Sequence, residues 1–369
     1  MSENVQGHLA AYCASAFPTT QEVQVTNLAH ISDGWESEIY FFTLESGPAG
    51  ARQGQELILR IYLGEDAQVK SVREFQGMKL LHDAGYPVPE VLALEREASP
   101  FGTPQGRPFV IMEKIQGRMM WPVLFGAAEG EQQALLTQFC KLFVQLHALE
   151  WRSFVEILPG RTQDGPFVHI EGRSLQNHVA AYVGGDRHAL LDREMGKVRS
   201  FLVRFPIPGF LPIVEWLDQR RERVPCERLS VIHWDYHPGN ILLRDAGSAT
   251  VIDWTQVDVS DYRFDLAWTL VLVSTYEGEK WHGRILHEYE RLAGTKVEQL
   301  EFFEVFACVK RLYSVAAAAT FGPEMVGMRP GAVAIMRRQR GASQRVYDLL
   351  VTRTGIEVPE MEEFLVQET

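Results

Sequence analysis

The run Val231-Ile232-His233-Trp234-Asp235-Tyr236-His237-Pro238-Gly239-Asn240-Ile241-Leu242-Leu243 carries the pattern H-x-D-x-x-x-x-N. Thirteen residues beyond Asn240 a second acidic signal follows, Val251-Ile252-Asp253-Trp254. Together these side chains supply what transfer of a phosphoryl group needs: one Asp to orient a hydroxyl and accept its proton, then an amide and a second carboxylate to hold Mg²⁺. Asp235, in a loop just after the apolar run Leu229 to Ile232, is therefore the candidate catalytic base. Asn240 and Asp253 are the candidate metal ligands, because Mg²⁺ takes hard oxygen donors and shares itself with waters and phosphates. The competing account of Asp235 is a turn-forming residue ahead of Pro238-Gly239. His233 and His237 suit an oxygen-donor set poorly and are expected to hydrogen-bond to backbone instead. Asp261 can cap a helix, and Asp265 at its start is expected to hold the loop by hydrogen bonds rather than to do chemistry.

A second constellation lies in the first half. Arg60 interrupts the apolar strand Glu56 to Tyr62, and Glu74 shares a helix face with Met78 and Leu81. A charge on an apolar face needs a partner, so an Arg60–Glu74 bridge that also points the guanidinium at phosphates would satisfy both. Two solvated charges at edge positions are the alternative. The turn Ile31-Ser32-Asp33-Gly34-Trp35-Glu36-Ser37 could lay backbone N–H groups over phosphates, which makes Ser37 a cofactor-binding candidate; an ordinary hairpin turn is the other reading. No G-x-x-x-x-G-K-[ST] occurs, which disfavours a P-loop fold.

The elements that must position these groups change in kind along the chain. From about Val23 to Ile115 the sequence is strand-rich: Glu38 to Leu44 and Glu56 to Tyr62 read as an antiparallel pair, and Phe109 to Met112 as another strand. Between Asp66 and Ala84 the period becomes helical, with Gly85 and Pro87 as stops. Gln132 to Leu149 is amphipathic, with Leu135, Leu136, Phe139, Leu142, Phe143 and Leu146 on one face. Trp151 to Pro225 mixes Pro and Gly with helical pieces around Arg187 to Arg204 and Pro212 to Arg223. Its aromatics Phe154, Phe167, Phe201, Phe210 and Trp216 are candidates for an acceptor pocket, with core packing the default for each. Helices follow the motif to the end.

At 369 residues the chain can hold two domains or one large bilobal one, with the composition of an ordinary globular protein. A net charge of −12 argues against nucleic acid and against an anionic membrane surface as partners. Glu277, Glu279, Glu288, Glu290, Glu298, Glu301 and Glu304 would favour a polycationic acceptor, but the interleaved Lys280, Arg284, Arg291 and Lys296 make a solvated helix face the expectation. Cys13, Cys140, Cys226 and Cys308 are scattered, without a C-x-x-C pair, as in a reduced cytoplasmic protein. No secretory signal or membrane-length apolar run is visible.

Together these residues resemble the aminoglycoside phosphotransferase and choline kinase family of small-molecule kinases. The resemblance runs from about Leu28 to Thr320 and is most specific at His233 to Leu243, Val251 to Trp254 and Asp261 to Ala267. It implies an α+β, protein-kinase-like bilobal fold: a small antiparallel-sheet N-terminal lobe with one helix over 1–113, which binds nucleotide, and a larger, mainly helical C-terminal lobe over 114–369 with the catalytic loop and acceptor-binding helices. Residues 151–225 would be a family-variable insertion. By the same resemblance Asp235 looks like the base, Asn240 and Asp253 like the Mg²⁺ ligands, and Glu74 like the helix carboxylate that positions the phosphate-binding side chain. Glu113 and Ile115 would lend backbone groups to the purine edge. The phosphate-binding residue is usually Lys in this family and here matches Arg60, which grips two oxygens but is longer and planar. Only a short segment links Asp253 to Asp265, so no activation segment fits and a protein acceptor is not expected. The implied activity is ATP- or GTP- and Mg²⁺-dependent phosphorylation of a hydroxyl on a small molecule, aminoglycoside-like, amino-alcohol or sugar. The alternative is a nucleotide-binding regulatory protein of the same fold with little or no transfer.

Overall fold

The computed structural model describes residues 2–17, 23–33, 37–47, 52–64, 66–96, 107–158, 175–245, 247–328 and 331–366. The chain divides into two compact units, one of Met1–Arg118 with Leu242–Thr255, the other of Met119–Ile241 with Gln256–Thr369. The first unit is therefore not a continuous stretch: it takes in the segment that carries Asp253.

In the first unit five strands form one antiparallel sheet: β1 (Val23–Asp33), β2 (Ser37–Ser46), β3 (Gln53–Tyr62), β4 (Val91–Glu95) and β5 (Phe109–Glu113), in the order β1-β2-β3-β5-β4. Strand periodicity decides which side chains of β3 do what. Leu57, Leu59 and Ile61 point into a core with Phe42, Phe109 and Ile111, which leaves Ile58, Arg60 and Tyr62 on the opposite face. The core is closed by helix α1 (Ser2–Ala16), whose Leu9 and Cys13 are buried in it. Helix α2 (Ala67–Asp83) buries Val72, Glu74, Met78 and Leu81, so the expected helix over Asp66 to Ala84 is present and its carboxylate faces inward. After β5 the chain runs through Glu113 to Gly117, where an added Cβ would lie 2.8 Å from the Leu243 carbonyl oxygen; only glycine allows that approach.

The second unit is mainly helical. Helices Glu129–His147, Tyr262–Glu277, Lys280–Ala293, Leu300–Phe321 and Arg340–Thr354 are joined by shorter ones and by one two-stranded antiparallel sheet, in which Leu229–Ile232 pairs with Asp258–Asp261. The segment expected to be irregular contains helices Arg152–Ile157, Leu175–Val183, Ala189–Arg204 and Leu211–Arg220 among its described residues. Phe154, Phe210 and Trp216 are buried and Phe201 packs against the core, whereas Phe167 lies outside the described residues. The acidic C-terminal helices differ from a uniformly solvated face. Glu288 and Glu304 are buried, Glu288 between Thr137 and Arg291 and Glu304 between His282 and Arg353. Burial of these carboxylates is tolerable because each is paired, and the partners hold both below their ordinary range. Among the described residues no helix is long and apolar enough to cross a membrane.

Candidate active site

The H-x-D-x-x-x-x-N loop leaves the strand Leu229–Ile232 and is fixed from beneath by the helix Tyr262–Glu277. Asp261 caps that helix by accepting the Arg263 N–H at 2.9 Å, and this sets its first turn under the loop. Asp265, in the same turn and fully buried, accepts the His233 N–H at 2.7 Å and the Trp234 N–H at 2.8 Å. These bonds hold Trp234 at φ +66°, a left-handed conformation that a bulky side chain resists. Behind Asp265 stands His147, with Nε2 at 3.4 Å from the carboxylate and Nδ1 at 2.8 Å from the Tyr289 hydroxyl. Burial pushes His147 below the ordinary histidine range, against the pull of Asp265, so the imidazole is neutral: Nε2–H donates to Asp265 and Nδ1 accepts from Tyr289. Thr269 donates to the Tyr236 carbonyl at 2.6 Å, and Tyr236 stacks on Phe143 with ring centres 3.9 Å apart.

Asp235 itself is half-buried. Its Oδ1 accepts the Trp268 indole N–H at 2.9 Å, and its Oδ2 lies 3.6 Å from His237 Nε2. His237 Nδ1 accepts the Gly239 N–H at 3.0 Å, which leaves Nε2 to carry the proton toward Asp235. His233 likewise uses Nδ1 on the Asp235 N–H at 3.3 Å. Both histidines thus take backbone donors. An added Cβ at Gly239 would come within 2.7 Å of the His237 ring, so a side chain there would displace that ring from the Gly239 N–H. Burial alone would push the Asp235 carboxyl up; His237, the Trp268 N–H and His233 outweigh it and hold the group well below the usual carboxylate range. Asn240 donates through Nδ2 to the Asp235 carbonyl at 2.9 Å. Its Oδ1 takes no hydrogen bond among the described residues.

In the first unit, Arg60 is the hub. Its Nε donates to Ser37 Oγ at 3.0 Å, and its Nη1 donates to Glu74 Oε1 at 2.8 Å and to Asp253 Oδ1 at 3.1 Å. Nη2 takes no partner among the described residues. Glu74 is held on three sides: by Arg60, by the Trp254 N–H at 3.2 Å and by the Tyr62 hydroxyl. Burial would pull the Arg60 guanidinium down, but the Glu74 and Asp253 carboxylates carry it far above its ordinary range, and it remains a cation. Burial raises Glu74, against the opposing pull of Arg60. Asp253 sits at φ +66° and also accepts from Thr255 Oγ1 at 3.2 Å, while its Oδ2 takes no hydrogen bond among the described residues. That free carboxylate oxygen is a donor of the kind Mg²⁺ takes. No group of three or more His, Cys, Asp or Glu arranged to hold a metal occurs among the described residues.

The sequence-predicted residues therefore fall into two sets. Ser37, Arg60, Glu74 and Asp253 meet directly, and Asp235 meets Asn240. Gly34 to Glu36 of the expected phosphate turn lie outside the described residues. Glu113 spends its N–H on the Glu90 carbonyl at 2.8 Å, so any group it lends is its carbonyl, whereas the main chain of Ile115 is uncommitted among the described residues. Tyr62 and Trp268 were not singled out from sequence. Tyr62 has a signal, since it lies two residues from Arg60 on the same face of β3; Trp268 has none of comparable strength.

A family model described as phosphotransferase enzyme family matches residues 27–303. Among solved structures the chain is similar to APH(2")-IIia in complex with GDP and kanamycin, at 14% identity and a TM-score of 0.55, covering 94% of this chain and 98% of that one. Aminoglycoside phosphotransferase APH(4)-Ia aligns at 16% identity and TM-score 0.55, covering 97% and 100%. ADP-bound APH(2'')-Ib aligns at 16% and 0.54, covering 96% and 98%. At these identities the likeness is one of fold, and it matches the antiparallel sheet of the first unit and the helical second unit. Acyl-CoA dehydrogenase family member 10 of Mus musculus is 24% identical over 200 residues, 53% of this chain; the match spans only 16% of that longer protein.

Proposed function

The chain belongs to the phosphotransferase enzyme family, and we propose that it transfers the γ-phosphoryl group of ATP, or of GTP, to a hydroxyl of a small molecule. The observation that carries this reading is Asp235: a carboxylate kept ionised by His237 and Trp268 on a loop that Asp265 holds rigid. In that state Asp235 orients the acceptor hydroxyl and takes its proton while the hydroxyl oxygen bonds to the γ-phosphorus and the bridging oxygen leaves on the nucleoside diphosphate. Arg60, fixed by Ser37 and Glu74, offers Nη2 to the phosphates. Glu113 and Ile115 offer main-chain groups to the purine. Asn240 and Asp253 are the proposed oxygen donors for Mg²⁺, which when bound neutralises charge on the β- and γ-phosphates. Complexes of the similar folds with GDP and with ADP support a nucleotide donor. The four free, buried cysteines suit the cytoplasm.

The test is Asp235→Ala with ATP, Mg²⁺ and a panel of aminoglycosides, amino alcohols, sugars and hydroxy acids. Loss of a positioned general base lowers transfer by at least about a hundredfold, while nucleotide affinity, read by calorimetry, stays near that of the parent. Unchanged turnover in the variant would sink the assignment. Nucleotide binding by the parent without transfer to any acceptor would favour the regulatory alternative, which has no use for the base.

A further inference from the structure

Outward from Asp235 a circuit runs through side chains of the second unit and is closed by the main chain, where Lys310 adjoins Arg311. Trp268 donates to Asp235 at 2.9 Å, and the Lys310 ammonium lies 4.9 Å from the Trp268 ring centre. Its neighbour Arg311 donates through Nη2 to the Tyr276 hydroxyl at 2.7 Å. Tyr276 meets Trp121 edge-on at 6.1 Å, Trp121 meets His237 at 5.7 Å, and His237 returns to Asp235 at 3.6 Å. Trp268 and Tyr276 are eight residues apart on one helix, about 80° around its axis, and Lys310 and Arg311 adjoin on another. Tyr276 is exposed and the other members are half-buried, so each reaches solvent in part.

Its chemistry is uneven. Two indoles, a phenol, an imidazole and two cations stand in the circuit, with Asp235 as its one carboxylate. Glu277, beside it, is tied through Oε1 to the Trp121 N–H at 2.6 Å. Arg311 makes no ion pair with a carboxylate among the described residues, and its Nε is buried without a hydrogen-bond partner. Nε is enclosed by protein, but Nη1 takes no hydrogen bond among the described residues and is not enclosed, so it is the edge of the guanidinium on which a planar anion fits. The faces of Trp121, Trp268 and Tyr276 would cover an apolar skeleton. A polycation would meet two like charges there.

We propose that this circuit is the acceptor subsite and that its acceptor is a hydroxylated organic acid with an apolar body, its carboxylate on Arg311 and its hydroxyl at Asp235. The inference rests on the reading of Asp235 as the base of phosphoryl transfer, and it sets the substrate class apart from the aminoglycosides named for the similar folds.

Binding is read first, by quenching of tryptophan fluorescence in the full chain. The probes are 3-hydroxy-3-phenylpropanoate, its amide, the matching amine 3-amino-1-phenylpropan-1-ol, and kanamycin. Transfer to the same four is then measured with ATP and Mg²⁺. The acid should bind about tenfold or more tighter than the amide or the amine, the size of one charge-assisted hydrogen bond, and kcat/KM should follow that order. Arg311→Gln should lower the acid-to-amide ratio by about tenfold, and Arg311→Lys should restore part of it. Lys310→Gln, on the second cation, should lower the same ratio and serves if Arg311→Gln does not fold. Tighter binding of the amine or kanamycin, no binding of any of the four, or a ratio that neither variant changes overturns the inference. Acid-selective, Arg311-dependent binding without Asp235-dependent transfer keeps the subsite and overturns the proposed reaction. Transfer to the amine or kanamycin in preference to the acid keeps the reaction and overturns the subsite.

Discussion

Asp265→Asn tests how the loop that carries Asp235 is held. The carboxylate is fully buried and spends both oxygens on main-chain donors, Oδ2 on His233 at 2.7 Å and Oδ1 on Trp234 at 2.8 Å. The Asn side chain has the same shape but only one acceptor, so one of the two N–H groups must face an NH₂. That loses one charge-assisted bond and leaves a buried donor unmade, together about 3 kcal/mol. For a unit of this size each kcal/mol lowers Tm by about 2–4 °C, so the variant should melt about 6–12 °C below the parent. The loop should also relax from the left-handed φ at Trp234, the residue before Asp235, and lose alignment of the proposed base. A misplaced catalytic group costs about tenfold to a hundredfold in rate. Melting by intrinsic fluorescence and phosphoryl transfer under saturating nucleotide read the two effects separately. A variant that melts within about 2 °C of the parent and turns over at the parental rate would refute the claim that these two bonds fix the loop.

Two further perturbations address the individual sites. Tyr62→Phe removes the hydroxyl that donates to Glu74 and leaves a buried carboxylate oxygen unmatched. It should cost about 1–3 kcal/mol and weaken nucleotide binding in calorimetry, and parental values for both would show that Arg60 and Trp254 suffice to hold Glu74. The Asp235 carboxyl, followed by ¹³C NMR and assigned against Asp235→Asn, should titrate below the ordinary aspartate value of about 3.9. Because its folded value is depressed, its contribution to stability is complete above about pH 4 and is lost as pH falls further. His237→Gln should move the midpoint up, and a parental midpoint above the ordinary value would contradict the role given to His237 and Trp268.

Much of this was legible because the residues carry local rules. Alternation in β3 and the helical period of α2 separately put Arg60 and Glu74 on apolar faces, and their 2.8 Å bridge is the outcome that burial of both requires. The strand and helix placements around Leu229 to Ile232 and Glu129 to His147 follow from the same periodicities. What escaped was set by tertiary contact. The helix Ser2–Ala16 shows Val5, Leu9, Tyr12 and Cys13 at helical spacing, but the alanines around them blur a narrow apolar stripe that only the sheet makes meaningful. Glu288 and Glu304 look like surface charges until Thr137, His282 and Arg353, distant in sequence, turn out to be their partners. The assignment of Leu242 to Thr255 to the first unit has no composition signal at all; it rests on bonds such as Val251 N–H to the Pro87 carbonyl at 2.8 Å.

The two units solve one problem twice. In the second, a carboxylate at the start of a helix, Asp265, accepts main-chain N–H groups and holds Trp234 at φ +66° beside Asp235. In the first, a helix carboxylate, Glu74, accepts the Trp254 N–H and shares Arg60 with Asp253, itself at φ +66°. A non-glycine residue in that region costs on the order of 1–3 kcal/mol and persists only where its surroundings over-determine it. In each case the strain sits at or next to a carboxylate proposed to do chemistry, and a buried carboxylate with several fixed donors holds it. The buried charges are thus better understood as restraints on two loops than as contributions to overall stability, since a buried ion pair gains little net free energy but defines geometry closely when fully bonded. It follows that conservative changes at Glu74 and Asp265 should damage turnover more than their melting shifts alone would suggest.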